Sequence, residues 1–193
     1  MQERKIGEKP QTTMSESAFG PRTVFLVGFM GAGKTSVGAA LGRKLGWPFE
    51  DLDDRIEAQE RRSIEDIFQK SGELAFREKE HAALRSLIRE LGTSPRVVAV
   101  GGGAFAQANN AALLDEAGFP VIFLDAPAEE LFRRCQEQKL SRPLRSNLEE
   151  FRRLYEARRP CYLKAAVRIE TSGKDVEKVA AEAIESLRNG ATQ

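Results

Sequence analysis

The sequence predicts a three-layer α/β/α fold, in which helices cover both faces of a five-stranded parallel β-sheet. Short apolar runs rich in β-branched residues alternate along the chain with longer amphipathic stretches, a pattern typical of strand–helix–strand units. The runs FLV, VVAV and VIFL are apolar without alternation, which indicates strands that are buried on both faces. A length of 193 residues, 41% of them hydrophobic, suits one domain with a sizeable core.

The predicted elements follow a polar segment, residues 1–21, which carries Gly and Pro and has no apolar period. We expect this segment to be a disordered leader and residues 22–193 to form the single domain. The predicted strands are Thr23–Val27, Trp47–Asp51, Arg96–Val100, Val121–Asp125 and Val167–Glu170. The predicted helices begin at Lys34, lie between Asp51 and Leu91, cover Asn109–Ala117 and Glu129–Gln138, and follow the last strand.

Residues 139–150 (KLSRPLRSNLEE) interrupt this pattern with Ser, Pro, Asn and charged residues. The segment is too polar for the core and too long for a simple connection. We therefore predict that it forms a mobile surface flap, or lid.

Composition excludes several classes of function. Thirty Lys and Arg residues balance twenty-nine Asp and Glu residues, so the net charge of +1 gives no reason to expect nucleic acid or an acidic membrane as a partner. Cys135 and Cys161 lack the spacing of metal ligands, and no apolar run approaches the roughly 20 residues of a membrane span. We expect a soluble cytoplasmic protein, and a monomer because no heptad pattern is present.

The segment Gly28–Thr35 (GFMGAGKT) fits the phosphate-loop pattern GxxxxGK[ST] and lies between a strand and a helix, as that motif requires. The glycines let backbone N–H groups surround the phosphates of ATP, while Lys34 adds positive charge and the Thr35 hydroxyl ligates Mg²⁺. The alternative is a glycine-rich turn with an incidental lysine. The predicted nucleotide-binding residues here are Gly31, Ala32, Gly33, Lys34, Thr35 and Ser36.

The end of the second predicted strand carries two carboxylates, in the sequence Asp51-Leu52-Asp53. On an extended segment they would point the same way, so that Asp51 could reach the metal through water and Asp53 could meet a substrate hydroxyl. Alternatively, both cap the next helix. The chain has no strand ending in DxxG and no NKxD signature, which favours a small-molecule kinase over a GTPase.

Three glycines, Gly101, Gly102 and Gly103, follow the strand RVVAV. Without side chains they allow the backbone to approach a ligand closely, and we expect Gly102 to contact substrate. The alternative is a flexible turn between strand and helix.

These motifs, together with Ser63–Phe68, Phe76–Glu80, Ser141–Leu144 and Arg158–Tyr162, occur in an order that resembles the shikimate kinase family. The resemblance covers nearly everything from Val24 to Ile184. It implies the P-loop kinase fold of the nucleoside-monophosphate-kinase type, with a substrate-binding region at about 51–92 and a lid at about 139–150. It also implies transfer of the γ-phosphate of ATP to the 3-hydroxyl of shikimate, giving shikimate 3-phosphate and ADP in aromatic amino acid biosynthesis.

The resemblance also assigns roles to single residues. Asp53 matches the carboxylate that holds the ring hydroxyls, and Arg77 and Arg158 match the pair that binds the substrate carboxylate, a role that suits the fixed fork of a guanidinium. Glu80 matches a carboxylate that positions one of these arginines. Phe68 and Phe76 match aromatics beside the ring, although core packing explains them equally well.

On the nucleotide side, the resemblance implies that Arg142 in the lid folds over the phosphates and that Arg134 stacks on adenine. Lys174 stands where some members carry an arginine next to adenine. Lys34, Asp53 and Arg142 are the catalytic residues that follow.

Two other functions remain open at this point. One is a different small-metabolite kinase, acting on gluconate or a nucleoside monophosphate, and the other is a nucleotide-binding regulatory domain without catalysis. The arginine pair argues against the first, and the presence of Lys34, Asp53 and Arg142 argues against the second.

Overall fold

The computed structural model describes residues 23–137 and 147–190, which fold around one five-stranded parallel sheet. The strands are β1 (Thr23–Val27), β2 (Phe49–Asp51), β3 (Arg96–Ala99), β4 (Val121–Asp125) and β5 (Val167–Glu170). Their order across the sheet is β2-β3-β1-β4-β5, and each pair of neighbours is parallel. The predicted α/β fold with five parallel strands is confirmed.

The described helices cover both faces of this sheet. They are α1 (Lys34–Leu45), α2 (Leu52–Glu60), α3 (Ile64–Leu91), α4 (Ala108–Glu116), α5 (Ala128–Glu137), α6 (Leu148–Tyr162) and α7 (Val176–Gly190). Right-handed crossovers place α1 on one face, where it packs on α7, and the helices from α2 to α6 on the other. The carboxyl ends of all five strands therefore share one edge.

Burial follows the position of each strand in the sheet. All five residues of β1 and of β4 are buried, which confirms that these apolar runs are covered on both faces. The edge strands β2 and β5 are only partly buried. The core thus lies around the central strands, directly beneath the loop that follows β1.

One predicted placement is wrong. Asp51 and Asp53 do not share an extended segment, because the strand ends at Asp51 and α2 begins at Leu52. The Asp51 carboxylate caps α2, accepting a hydrogen bond from the backbone N–H of Asp53 at 3.1 Å. Asp53 itself lies in the first turn of the helix. The alternative interpretation of the sequence, helix capping, is therefore correct for Asp51. Its carboxylate provides an acceptor for the free N–H groups of the first turn of α2.

Two long helices show features that the sequence patterns did not reveal. Gly72 has φ 81° and ψ 172°, so α3 is two helical segments joined at a kink. Helix α6 begins at Leu148, where the Asn147 side chain accepts from the backbone N–H groups of Glu149 and Glu150. Residues 148–150, predicted as the end of a flap, therefore form the first turn of a helix.

Other predictions concern residues outside the described ranges. These are the leader, residues 1–21, and residues 139–146 of the lid, with Arg142. Within the described ranges, no helix has both the length and the apolar character needed to cross a bilayer.

Candidate active site

The phosphate loop connects β1 to α1 at the carboxyl edge of the sheet, and its backbone accounts for its glycines. Gly28 and Gly31 have φ values of 147° and 80°. A Cβ atom on Gly28 would lie 2.6 Å from the carbonyl oxygen of Leu124, and one on Gly31 would lie 2.5 Å from that of Leu131. Both positions need glycine for conformation and for space.

Lys34 and the start of α1 give this loop its positive character. The Lys34 Nζ lies against the loop and donates to the carbonyl oxygens of Gly28 at 3.0 Å and Phe29 at 3.3 Å. The first turn of α1 contains no acidic side chain. The exposed N-terminal N–H groups and the lysine together make a site suited to anionic phosphates.

A hydroxyl and a carboxylate meet beside the loop. The Thr35 hydroxyl donates to Oδ2 of Asp51 at 2.9 Å, so the residues predicted as metal ligands lie together although one belongs to α1 and the other ends β2. Oxygen atoms of this kind are the ligands that Mg²⁺ prefers, and Mg²⁺ commonly takes only one or two protein groups together with substrate phosphates. The residues present fit such an ion.

The glycine run after β3 is surrounded by the predicted acceptor-binding residues. A Cβ atom on Gly101 would lie 2.7 Å from Oδ1 of Asp53 and 2.9 Å from Oε1 of Glu80. A Cβ atom on Gly103 would lie 2.6 Å from both Nη1 and Nη2 of Arg77. A side chain at either position would therefore push these functional groups aside, which favours the ligand-site interpretation over a merely flexible turn.

Arg77 is fixed from two sides. Its Nη1 donates to Oε2 of Glu80 at 2.8 Å, and its Nη2 lies 3.1 Å from Oε1 of Glu73. Its Cζ lies 5.2 Å from the centre of the Phe76 ring, which packs 4.5 Å from the ring of Phe68. The expected pairing of Glu80 with one of the two arginines is thus present. Phe76 is almost fully buried, as core packing requires, whereas Phe68 is half-buried.

Glu80 is a charged group in an unusual position, with only 1% of its surface exposed. Burial raises the pKa of its carboxyl, and the nearby Asp53 carboxylate raises it further, while the Arg77 guanidinium and a hydrogen bond from Gln107 act in the opposite direction. The Nε2 of Gln107 donates to Oε2 of Glu80 at 2.5 Å. Sequence patterns gave no signal for Gln107, because its partner is 27 positions away.

Arg158, the second predicted carboxylate-binding arginine, reaches the same glycine run from α6. Its Nη1 lies 3.5 Å from the carbonyl oxygen of Gly102, and its Cζ lies 5.9 Å from the centre of the Phe29 ring. Tyr162 donates its hydroxyl to the same carbonyl, and burial raises the pKa of that phenol. A Cβ atom on Gly102 would lie 3.4 Å from the backbone nitrogen of Met30, so this peptide unit also borders the phosphate loop.

The residues predicted to bind the nucleotide lie near the end of β5, the edge strand on the other side of the sheet from β2. Arg134 on α5 donates to Oγ1 of Thr171 at 2.9 Å and to the Thr171 carbonyl at 3.0 Å, and pairs with Glu130 at 2.6 Å. It therefore borders the loop after β5, where Lys174 also lies, and its predicted stacking on adenine stays a prediction. Lys174, in the same loop, forms an ion pair with Glu182 of α7 at 2.6 Å.

A second buried carboxylate, Asp125, ends β4 with 2% of its surface exposed. It accepts from the Tyr155 hydroxyl at 2.6 Å, from Nη2 of Arg159 at 2.8 Å and from Nε of Arg168 at 2.9 Å. Burial, and then the Asp125 carboxylate, raise the pKa of Tyr155 to about 12. This cluster attaches α6 and β5 to the centre of the sheet, and its residues were not predicted.

Comparison with known proteins supports the same interpretation. The family model for shikimate kinase matches residues 30–188. Shikimate kinases from Persephonella marina and Geobacter sulfurreducens are 40% and 45% identical to this chain, over 86% and 83% of it and 99% and 88% of their own lengths. The structure of shikimate kinase from Acinetobacter baumannii in complex with shikimate superposes with a TM-score of 0.81 at 34% identity, covering 89% of this chain and 96% of that one.

A match of this extent, on a sheet edge that brings together a phosphate loop, two arginines and a glycine run, settles the family. The chain belongs to the shikimate kinase family of ATP-dependent phosphotransferases.

Proposed function

We propose that this chain transfers the γ-phosphate of ATP to the 3-hydroxyl of shikimate, forming shikimate 3-phosphate and ADP. The observation that carries the proposal is the convergence of Arg77 and Arg158 on the glycine run Gly101–Gly103, which itself borders the phosphate loop. An acceptor with a carboxylate and a ring hydroxyl would span these groups. The solved relative that binds shikimate supports this acceptor.

On the phosphate side, the loop backbone from Gly31 to Gly33 and the N–H groups of Thr35 and Ser36 would bind the β- and γ-phosphates. Lys34 would move from its loop carbonyls to the phosphate oxygens, since a lysine ammonium prefers an anionic partner. Thr35 and Asp51 would hold Mg²⁺, which would offset the negative charge of the phosphates.

On the acceptor side, Arg77 and Arg158 would bind the carboxylate through their planar guanidinium groups. Asp53 would accept a hydrogen bond from the attacking hydroxyl and receive its proton as transfer proceeds. Its Oδ1 lies beside Gly101, on the glycine run that borders the phosphate loop. Phe68 would border the ring of the acceptor, beside the buried Phe76. The reaction would then depend chiefly on alignment of donor and acceptor.

Some nucleotide contacts rest on the sequence alone. Arg142 lies outside the described residues, and its role in covering the phosphates is carried from the family resemblance. Arg134 supports an adenine-side role by its place beside Thr171. The Lys174 ammonium would have to leave Glu182 to reach the nucleotide, so we assign it the weakest contribution.

Residues 22–193 would act as one domain, with residues 51–92 contributing to the acceptor side and the segment from 139 forming the lid. We place the enzyme in the cytoplasm, acting as a monomer without nucleic acid or membrane partners. The balanced charge supports this part of the proposal.

The test is an ATP-turnover assay with shikimate, gluconate and nucleoside monophosphates as acceptors. Stimulation by shikimate alone is expected. Stimulation by gluconate or by a nucleoside monophosphate instead would identify another small-metabolite kinase, and no stimulation by any acceptor would favour a regulatory domain.

Asp53→Ala should lower kcat with shikimate by about 100-fold or more, because general acid–base groups contribute on the order of 10² to 10⁴ in rate. Binding of ATP, measured by calorimetry, should be unchanged because Asp53 is assigned to the acceptor. A variant with near-normal turnover would remove Asp53 from the mechanism.

A further inference from the structure

Gln107 occupies the N-cap position of α4 but does not cap that helix. Its backbone has the extended conformation of an N-cap, with φ −85° and ψ 125°, yet its side chain makes no capping hydrogen bond. Ser, Thr, Asp and Asn are the residues that N-caps favour, because their short side chains reach the free N–H groups. A longer side chain that does not cap the helix is therefore best explained by a different partner.

That partner is Glu80, which Gln107 contacts at 2.5 Å through its amide nitrogen. Because an ionised carboxylate only accepts hydrogen bonds, the amide must turn its NH₂ group toward Glu80. The contact joins the start of α4 to the middle of α3. A second contact between the same helices lies beside it. Nδ1 of His81, the residue after Glu80, lies 2.7 Å from Oδ1 of the buried Asn110, one helical turn after Gln107.

The same Glu80 oxygen, Oε2, accepts from both Gln107 and Arg77. Glu80 is thus held between the amide of one helix and the guanidinium of its own helix. The groups that face it are Arg77, Gln107, the Asp53 carboxylate from α2 and the Gly101 backbone. Of these, only Arg77 and Gln107 favour its charged form, and only Arg77 carries a positive charge.

We propose that Gln107 is a positioning residue that holds Glu80, and through it Arg77, in the orientation that binds the carboxylate of the acceptor. This inference rests on the proposed function for its effect on shikimate, but the contact itself does not. Without the amide, Glu80 loses one of the two donors to its buried oxygen. Its carboxyl then takes up a proton at higher pH, and Arg77 loses the charge of Glu80, the buried one of its two carboxylate partners.

The decisive variant is Gln107→Ser. Serine is a better helix N-cap than glutamine but is too short to reach Glu80. If Gln107 serves only to join the two helices, Gln107→Ser changes thermal stability and leaves the kinetics unchanged. The positioning role predicts a KM for shikimate raised about fivefold, little change in kcat or in the KM for ATP, and a larger KM increase at lower pH, whatever the change in stability.

Two further variants complete the series. Gln107→Glu keeps the length but replaces the donor by an acceptor, so the KM for shikimate should rise more than with serine. Ala112→Ser, at an exposed position of the same helix, is the matched control and should leave both KM values unchanged.

A direct measurement separates this inference from the proposed function. The carboxyl carbon of Glu80, assigned through a Glu80→Gln spectrum, is titrated by NMR in the parent protein and in Gln107→Ser. A higher pKa in the variant supports the contact, whatever the acceptor is. An unchanged pKa together with an unchanged KM overturns the inference, whereas absence of shikimate turnover in the parent protein overturns only the proposed function.

Discussion

Glu80 and Asp125 are both buried carboxylates that accept hydrogen bonds from arginine, but their surroundings differ. Asp125 is shared by two arginines and a tyrosine from α6 and β5. Glu80 has one arginine, an amide and a second carboxylate beside it. The charge of Asp125 is compensated by groups that join the fold. The charge of Glu80 is compensated mainly by Arg77, whose guanidinium lies against the glycine run of the acceptor site.

The comparison predicts that Asp125 matters mainly for stability and Glu80 mainly for substrate recognition. A carboxylate that ties three elements together contributes to the folded state whether or not substrate is present. A carboxylate that orients one arginine beside a pocket affects ligand binding more than the stability of the fold.

The largest expected effect is on stability. Asp125→Asn should lower the free energy of unfolding by about 3 kcal/mol. The substitution removes the negative charge, and the new NH₂ group would face a hydrogen-bond donor that the carboxylate oxygen had satisfied. Chemical denaturation measures this loss. The control is Glu129→Gln, which removes an exposed partner of Arg152 and should cost less than about 1 kcal/mol. Equal losses in the two variants would show that Asp125 is no structural junction.

The next effect is on recognition. In Gly103→Ala the new methyl group would displace the Arg77 guanidinium from Glu80, because a Cβ atom at this position would lie only 2.6 Å from Nη1 and Nη2 of Arg77. We expect the KM for shikimate to rise about tenfold, equivalent to about 1.4 kcal/mol, with the KM for ATP unchanged.

A double-mutant cycle tests whether that effect passes through Arg77. Adding Gly103→Ala to Arg77→Ala should raise the KM for shikimate little further, because the group that the methyl displaces is already absent. Additive increases would mean that Gly103 acts on the acceptor directly.

The smallest effect is a pH dependence of stability. The pKa of Glu80 is raised in the folded protein, so the folded state keeps its proton at pH values where the unfolded chain has lost it. The contribution of Glu80 to stability therefore falls as pH rises from the unfolded value of 4.5 through the folded value. Glu80→Gln should thus gain stability relative to the parent protein as pH rises over that window, measured by urea denaturation across pH. A difference in stability that does not change with pH would show that folding does not raise the pKa of Glu80.

Features encoded by neighbouring residues were predictable. The phosphate loop needs glycines, Lys34 and Thr35 in one short segment, and the central strands need continuous apolar runs, so local sequence specified both. Asp53 was misplaced because the side chain of Asp51 provides a helix cap, so the chain enters α2 at Leu52 instead of continuing as an extended segment. Choosing between an extended segment and a cap requires knowing where the acceptor atom lies.

Contacts between distant segments were not predictable in the same way. Gln107 and Glu80, or Asp125 and Arg159, meet only because the helices pack as they do. Arg77 and Arg158 came from family resemblance, since an arginine on a helix usually remains in solvent. The start of α6 had a local signal in Asn147 followed by two glutamates, but the polar composition around it favoured a flap.

The sheet order β2-β3-β1-β4-β5 divides the enzyme into two flanks around one strand. Asp51 ends β2 and the glycine run lies after β3, whereas Asp125 ends β4 and Thr171 follows β5. In the proposed function, the acceptor-binding residues lie almost entirely on the flank of β2 and β3, and Arg158 of α6 reaches them from the other flank. A chimaera that exchanges residues 52–107, with position 158 adjusted to match, is expected to change the acceptor while keeping Asp51 and the phosphate loop.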